Sequence, residues 1–331
     1  MTDIPFISII IPSYNRAKLL GLAIESFIEQ TYPSDRYEII VADNNSQDYT
    51  REVVLEWQAK SSVALHYFFE KRQGVHYARN SAAKIAKGDI LYFTDDDMVA
   101  DKALLKEIVS VFNLDPLIGS ATGKIIGKFV APPPRWVKKD LINEYLSLTE
   151  EGKPEELVIS RNDLVFSCHE AVKRDVFFQC GGFNPENTAG EWIGDGETGL
   201  GIKMKQAGYR FAYTSRSVIY HIIPKSRMTL QYFIKRMGNQ GYCDAFTEYR
   251  THRSRNKILF LMIKRNTIGI VRLFGFIIVR IAAGKNTWRY LPAITAYMFK
   301  RNAHDIKLYR DKEFRKLAEI DDWLQQGSNS L

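Results

Sequence analysis

Cysteine is scarce: Cys168, Cys180 and Cys243 are the three in 331 residues. They lack the close spacing of a zinc site, and an odd, sparse count argues against a disulfide framework and fits a reducing, cytoplasmic setting. No G-x-G-x-x-G or G-x-x-x-x-G-K-[ST] follows a candidate strand, so the phosphate cradles of dinucleotide and P-loop sites are missing. The opening MTDIPFISIIIPSYNR has no basic leader before its apolar run, and that run is too short for a signal-peptide core, so it reads as a first strand. Long apolar runs are missing as well. KILFLMIKRNTIGIVRLFGFIIVRIAAG is broken by Lys264, Arg265, Arg272 and Arg280, so no apolar run within it approaches the ~20 residues a spanning helix needs.

Acidic residues nearly vanish from 250 to 310, where 14 Lys/Arg face Asp305 alone. That segment's net of +13 leaves −5 for the rest of a chain whose total is +8. So local a basic charge could meet anionic lipid, nucleic acid or an anionic substrate. Lys257, Arg265, Arg272 and Arg280 recur every seven or eight residues. One helix would carry them as a basic stripe opposite an Ile/Leu/Phe face, as interfacial helices do; a helix packing that face on its own domain has the same pattern.

With 45% hydrophobic residues the chain can bury a substantial core. Its first third alternates β-branched runs with helical patterns, the mark of βα units. The strands are expected at 7 to 11, 37 to 42, 64 to 69 and 89 to 94. RAKLLGLAIESFIEQ, TREVVLEWQAK and HYARNSAAKIAK are the helices between them. From 115 to about 165 the pattern loosens around APPPRW and EEGKPEE. AVKRDVFFQCGGFN then reads as a helix ended by Gly181 and Gly182, ETGLGIKMKQAG as a helix stopped by Gly208, and YRFAYTSRSVIYH as a strand. The expected architecture is α/β, with a mostly parallel central sheet flanked by helices over residues 1–227. Its halves would be about 1–115 and 116–227, followed by a basic, mainly helical region over 228–331.

Ligands of open α/β sheets sit beyond the carboxyl ends of the strands. Those ends carry Pro12 to Arg16, Asp43 to Asp48, and Asp95 to Asp97. Three adjacent carboxylates repel one another, and a hard divalent cation such as Mg or Mn would compensate them. Continued strand geometry would turn Asp95 and Asp97 to one face and Asp96 to the other. A solvated acidic turn, with Asp101 capping KALLKEIVSVF, would carry the same residues.

SIIIPSYNRAKLLGLAIESFIEQTYP, YEIIVADNNSQDYT, GVHYARNSAAKIAKGDILYFTDDDM, CGGFNPE and GDGETGLGIKMKQAGYRFAY occur in this order between residues 5 and 245. Together they resemble glycosyltransferase family 2, inverting enzymes of GT-A fold. The resemblance implies that Pro12, Tyr14 and Arg16 line the nucleotide, that Asp43 meets the uracil or ribose edge, and that Arg79 meets the pyrophosphate. Asp96 would turn towards the ribose, while Asp97, helped by Asp95, would hold a divalent metal on the diphosphate. An Asx-turn would explain Asp43 as well.

An inverting displacement needs a carboxylate to take the acceptor's proton. The family supplies it as the second acid of a Glu-Asp pair, and the resemblance, matched through Leu200, Ala207, Gly208 and Tyr209, puts Glu197 there with Gly196 in place of the first acid. The pair is broken, and Asp195 is the other candidate. His221, after a strand, is a further candidate metal ligand. Arg227 and Arg236 resemble basic positions near the diphosphate or acceptor, and Trp192, with Trp136 behind it, is a candidate sugar platform. The implied activity is metal-dependent (Mn or Mg) transfer from a nucleotide-sugar, a UDP-sugar, to a glycan or lipid-linked acceptor in cell-surface polysaccharide or glycoconjugate biosynthesis. It would take place at the cytoplasmic face of an anionic membrane, with no nucleic acid expected. The competing readings are a sugar-phosphate nucleotidyltransferase, for which PSYNR lacks the Gly-rich basic loop, and a non-enzymatic basic module binding nucleic acid or membrane.

Overall fold

The computed structural model describes residues 4–134, 146–149, 157–160, 166–185, 187–188, 191–192, 194–282 and 291–325. They fall into two compact units. The first comprises residues 1–191, 196–224 and 321–331, and the second 192–195 and 225–320.

In the first unit β1 (Ile7–Ser13) and β2 (Tyr37–Asp43) are buried along their whole length. That is why they are written as runs of Ile and Val rather than as an alternation, since central parallel strands are covered on both faces. β3 (Ala64–Phe69) pairs with β2, and β4 (Ile90–Thr94) with β1, all in parallel. The helices α1 (Ala17–Ile28), α2 (Thr50–Lys60) and α3 (Val75–Ile85) alternate with these strands in the chain. The order β3-β2-β1-β4 means that the chain leaves β1 on one side and later returns on the other. The crevice between β1 and β4 is therefore the topological switch point, where such sheets take their ligands.

The sheet continues through the second half of the unit as a mixed one. The chain's further elements as far as residue 223 are β5 (Met98–Ala100), α4 (Leu104–Ser110), β6 (Ile118–Phe129), β7 (Val158–Ser160), β8 (His169–Lys173), α5 (Arg174–Gln179), β9 (Asn187–Thr188) and β10 (Glu191–Trp192), which form a separate two-stranded sheet, α6 (Gly196–Gln206) and β11 (Arg210–Ile223). β8 lies antiparallel between β4 and β6, β6 runs parallel to β11, and β11 pairs antiparallel with β5 and β7. The stretch AVKRDVFFQC, whose spacing predicts one helix, divides here. Ala171 to Lys173 complete β8, and the helix begins at Arg174. Pairing on both edges overrides the local helical pattern. β6 lies where periodicity fades, and Gly123 shows why a small residue is needed there. A Cβ on Gly123 would lie 2.1 Å from the Ser217 carbonyl oxygen of β11.

The core on the α3 side joins Ile10, Ile40, Leu91, Phe93, Phe177 and Leu200. Leu324 joins this core, and the Trp323 N–H donates to the Gly181 carbonyl at 3.0 Å, so the chain's last described residues return to this unit.

The second unit is helical, with α7 (Leu230–His252), α8 (Arg255–Ala282), α9 (Leu291–Arg310) and α10 (Lys312–Ala318). Thr229 caps α7 by accepting the Tyr232 N–H at 3.2 Å. A Cβ on Gly241 would lie 2.4 Å from the Tyr297 carbonyl oxygen, so glycine lets α7 and α9 pack closely. Arg265 corrects the expected basic stripe. Its guanidinium turns inward to Glu248 at 2.9 Å and to the buried Asp305. Phe260, Ile263, Lys264 and Ile268 are exposed on the same helix. The cause is the pull of two acids on α7 and α9, which a helical wheel cannot contain. The side chains of Arg272 and Arg280 lie outside the described residues. Among the described residues, no helix is long and apolar enough to cross a membrane.

Candidate functional site

The carboxyl ends of β1, β2 and β4 carry Ser13, Asp43 and Thr94, with Ser13 in register with Asp43. Immediately beyond β4 the chain turns, with the Met98 N–H donating to the Asp95 carbonyl at 3.3 Å. This turn corrects the expected alternation of the three aspartates. Arg16 Nη1 donates to both Asp96 Oδ1 and Asp97 Oδ2, each at 3.0 Å. Asp95 turns instead to Arg79 Nη2, 2.5 Å away. Ser13 Oγ also donates to Asp96 Oδ2 at 2.8 Å. Burial pushes Asp96 up to about 7, with Arg16 drawing it down and Asp97 raising it.

His221 reaches the turn through the sheet. β11 pairs with β5 so that His221 faces Met98, and the Ile222 N–H donates to the Asp97 carbonyl at 2.9 Å. The imidazole Nε2 then lies 3.7 Å from Asp97 Oδ1, and both residues are buried. Its Nδ1 is 2.8 Å from the Leu146 carbonyl, which only accepts, so Nδ1 carries a proton and Nε2 is the atom presented to the carboxylate.

The expected trio of metal ligands does not converge as a set. Among the described residues no group of three or more His, Cys, Asp or Glu side chains is arranged to hold an ion. The structure brings Asp97 and His221 together and commits Asp95 to Arg79. One carboxylate and one imidazole still suit a manganese or magnesium ion that takes its remaining ligands from phosphate oxygens and water.

Of the other expected nucleotide residues, Pro12 is buried in β1 and Tyr14 is exposed beside Arg16. Asp43 is buried, accepting from Tyr67 Oη at 2.7 Å and from the Ser46 N–H at 2.9 Å. Arg79 is buried too, donating to Ser167 Oγ at 2.6 Å and to the Thr94 carbonyl at 3.4 Å besides Asp95.

The two candidate bases differ in surroundings. Asp195, 1% exposed, belongs to the helical unit, where it accepts from Thr247 Oγ1 at 3.2 Å and lies 3.6 Å from Arg250 Nε. Glu197 opens α6 in the first unit, with its side chain 23% exposed. The route to that position starts at the consecutive left-handed glycines Gly181 and Gly182, at φ +69° and +68°. They end α5 and deliver Phe183, whose backbone is held at both ends by Asn80 of α3, at 3.0 and 2.9 Å. The Gly196 N–H then donates to the Asn184 carbonyl at 3.0 Å, which fixes the start of α6. Arg227 and Arg236 lie in the helical unit, both half-buried. Trp192 ends β10, but its side chain, like all of Trp136, lies outside the described residues.

Sequence reasoning missed several residues here. Ser13 and His76 stand inside stretches already singled out, PSYNR and GVHYARN, with no local sign of their contacts. Glu170 of β8 is wholly buried; its Oε1 accepts from Ser120 Oγ at 2.9 Å, while Oε2 has no hydrogen-bond partner among the described residues. Burial pushes this carboxyl up to about 8, and Glu197 adds to the rise.

Comparison with known proteins finds sugar transferases among those similar to this chain. The chain is 34% identical over 112 residues to glycosyltransferase AglE of Haloferax volcanii, covering 34% of this chain and 37% of that protein. It is 35% identical over 133 residues to the UDP-Glc:alpha-D-GlcNAc-diphosphoundecaprenol beta-1,3-glucosyltransferase WfgD of Escherichia coli, covering 38% and 51%. The chain thus spans about a third to a half of the length of these curated relatives. In fold it is similar to the mannosyltransferase PcManGT of Pyrobaculum calidifontis, solved with GDP-Man and Mn2+. The TM-score is 0.59 at 24% identity, over 98% of this chain and 86% of that one. S. aureus TarS 1-349, solved with UDP, follows at TM-score 0.51 and 18% identity, over 91% and 90%. Residues 8–169, which hold β1 to β4, the acidic turn and Arg79, match the model of glycosyl transferase family 2, and with the relatives and folds above this match supports a family 2 glycosyltransferase.

Proposed function

We propose that this protein is a metal-dependent inverting glycosyltransferase, moving one sugar from a nucleotide-sugar to a glycan or lipid-linked acceptor in cell-surface polysaccharide or glycoconjugate biosynthesis. The observation that carries this reading is the acidic turn after β4, set at the switch point beside Ser13, Arg16 and His221. A nucleoside diphosphate fits there, with its base and ribose along Pro12, Tyr14 and Asp43. The names of similar proteins mention both UDP and GDP-Man, so UDP-sugars lead the donor panel and GDP-sugars follow.

Asp97 and His221 would hold the divalent ion, which when bound would supply positive charge against the negative charge developing on the leaving nucleoside diphosphate. Arg16 offers further guanidinium N–H groups towards the same phosphates. On the acceptor side, Glu197 takes the proton of the attacking hydroxyl as the new bond to the anomeric carbon forms and the bond to the diphosphate breaks. Its partial exposure favours it over Asp195, whose carboxylate is enclosed by Thr247 and Arg250. Arg227, Arg236 and Trp192 are assigned to the acceptor or diphosphate.

The helical unit is assigned to an anionic bilayer at the cytoplasmic face, on its basic composition and on the exposed Phe260, Ile263 and Phe299. The direct test of the enzymatic reading is calorimetric titration of UDP, GDP and ADP with and without manganese, followed by a screen for nucleoside diphosphate release from UDP- and GDP-sugars. Metal-dependent binding of one diphosphate, and turnover of its sugars, is the expected result. A folded protein that neither binds nor turns over any of them overturns the reading.

A further inference from the structure

His76 is a buried polar group that faces the proposed base. It stands on the first turn of α3, 1% exposed, and its ring stacks on Phe183 with centroids 4.7 Å apart and planes 28° from parallel. On one edge Nδ1 faces Arg79 Nη1 at 3.4 Å. On the other edge Nε2 faces Glu197 Oε2, also at 3.4 Å. A guanidinium can only donate, so Nδ1 must present its lone pair to Arg79. The ring proton therefore sits on Nε2, the nitrogen on the side of the carboxylate. Arg79 is itself fixed by Asp95, Ser167 and the Thr94 carbonyl.

From these contacts we infer that His76 is a positioning residue for the base: held as the Nε2–H tautomer by Arg79, it turns its N–H to Glu197 Oε2 and so orients the carboxylate that takes the acceptor's proton. The inference rests on the proposed function and deepens it. The line Asp95–Arg79–His76–Glu197 ties the acidic turn on the donor side to the base on the acceptor side, through two residues of one helix turn. Stacking on Phe183 sets the plane of the ring, and Asn80 sets Phe183, so the orientation is built by the fold. The arrangement matches the logic by which catalytic bases are oriented by a third group that does not itself react.

Two variants separate positioning from mere packing. His76→Phe keeps a ring against Phe183 but removes the acceptor for Arg79 and the donor for Glu197. His76→Gln can supply both through its amide. The expected result for H76F is a tenfold or greater fall in kcat for nucleoside diphosphate release from the preferred UDP- or GDP-sugar, with KM and the manganese-dependent Kd for the free nucleotide within about twofold of wild type. H76Q recovers most of kcat. Glu197→Gln is run alongside, and H76F added to E197Q should cost nothing more, because the group that His76 orients is gone.

An inactive E197Q with a fully active H76F overturns the inference alone. A fully active E197Q overturns Glu197 as the base, and the inference with it. An H76F protein whose nucleotide binding falls in step with its kcat shows a structural role and also overturns it. Independently of activity, long-range 1H–15N NMR assigns the ring, with H76Q identifying its signals. The expected pattern is a proton on Nε2 and a bare Nδ1. The opposite tautomer or an imidazolium at neutral pH refutes the positioning role, whatever the enzyme transfers.

Discussion

Asp97 Oδ1 lies 3.7 Å from His221 Nε2, between a turn beyond β4 and the strand β11 that enters the sheet far later in the chain. The other oxygen of Asp97 is held by Arg16, so the carboxylate divides between a cation and an imidazole. Asp97→Asn keeps the shape and removes the charge. Titration of the preferred nucleotide in manganese should show affinity weakened at least about tenfold, with little change in EDTA. His221→Gln should show the same selective loss in smaller measure. Equal losses with and without metal would mean that these residues shape the pocket rather than hold an ion.

The proposed base predicts a second contrast. Glu197→Gln should slow nucleoside diphosphate release by about a hundredfold or more, the range for removing a general base, while the nucleotide Kd stays near wild type. Asp195→Asn should leave the rate within a few-fold and lower the melting temperature, since Asp195 is buried against Thr247 and Arg250. The reverse pattern would exchange the two assignments.

Glu170 predicts a pH dependence of stability. Its carboxyl titrates at about 8 in the fold, against an ordinary 4.5. Between those values the folded protein keeps a proton that the unfolded chain has released, so this group's contribution to stability falls as pH rises from about 4.5 to about 8. Above 8 the buried charge is fully developed, with Oε2 lacking a hydrogen-bond partner among the described residues. Glu170→Gln can still accept from Ser120 and carries no charge. Its melting temperature should exceed that of wild type by about 3 °C or more at pH 9 and approach it at pH 5. A difference independent of pH would show that volume or hydrogen bonding, and not ionisation, sets the cost.

The parallel half of the fold was legible because its strands are short runs of mainly apolar residues, and polar residues follow β1, β2 and β4 directly, as Asp95 follows Thr94. The acidic turn could be located from sequence, but not the partition of its members, because Asp95 turns to a helix and Asp96 and Asp97 to the loop after β1. β8 was hidden because its residues continue smoothly into α5, and only its pairing with β4 and β6 makes them a strand. His76 and Glu197 carry no local mark of each other. Their approach depends on two left-handed glycines, on Asn80 holding Phe183, and on Asn184 holding Gly196. Arg265 fell on the wrong face of a helical wheel because Glu248 and Asp305, which attract it, belong to other helices.

That inward turn of Arg265 sharpens the expectation for the helical unit. With Arg265 satisfied by Glu248 and Asp305, the exposed residues of α8 available to a surface include Lys257, Phe260, Ile263 and Lys264. Apolar side chains interleaved with lysines suit the headgroup region of an anionic bilayer, where each lysine contributes about 1 kcal/mol. Co-sedimentation with phosphatidylserine vesicles should therefore exceed that with phosphatidylcholine and weaken with added salt. Lys257→Glu combined with Lys264→Glu should cut binding at least about tenfold. Phe260→Ala combined with Ile263→Ala should reduce it while leaving the salt dependence in place, because insertion and charge act separately. Binding to duplex or single-stranded nucleic acid that is stronger than binding to vesicles, and abolished by the same lysine reversals, would assign this face to a polyanion in solution instead of a membrane.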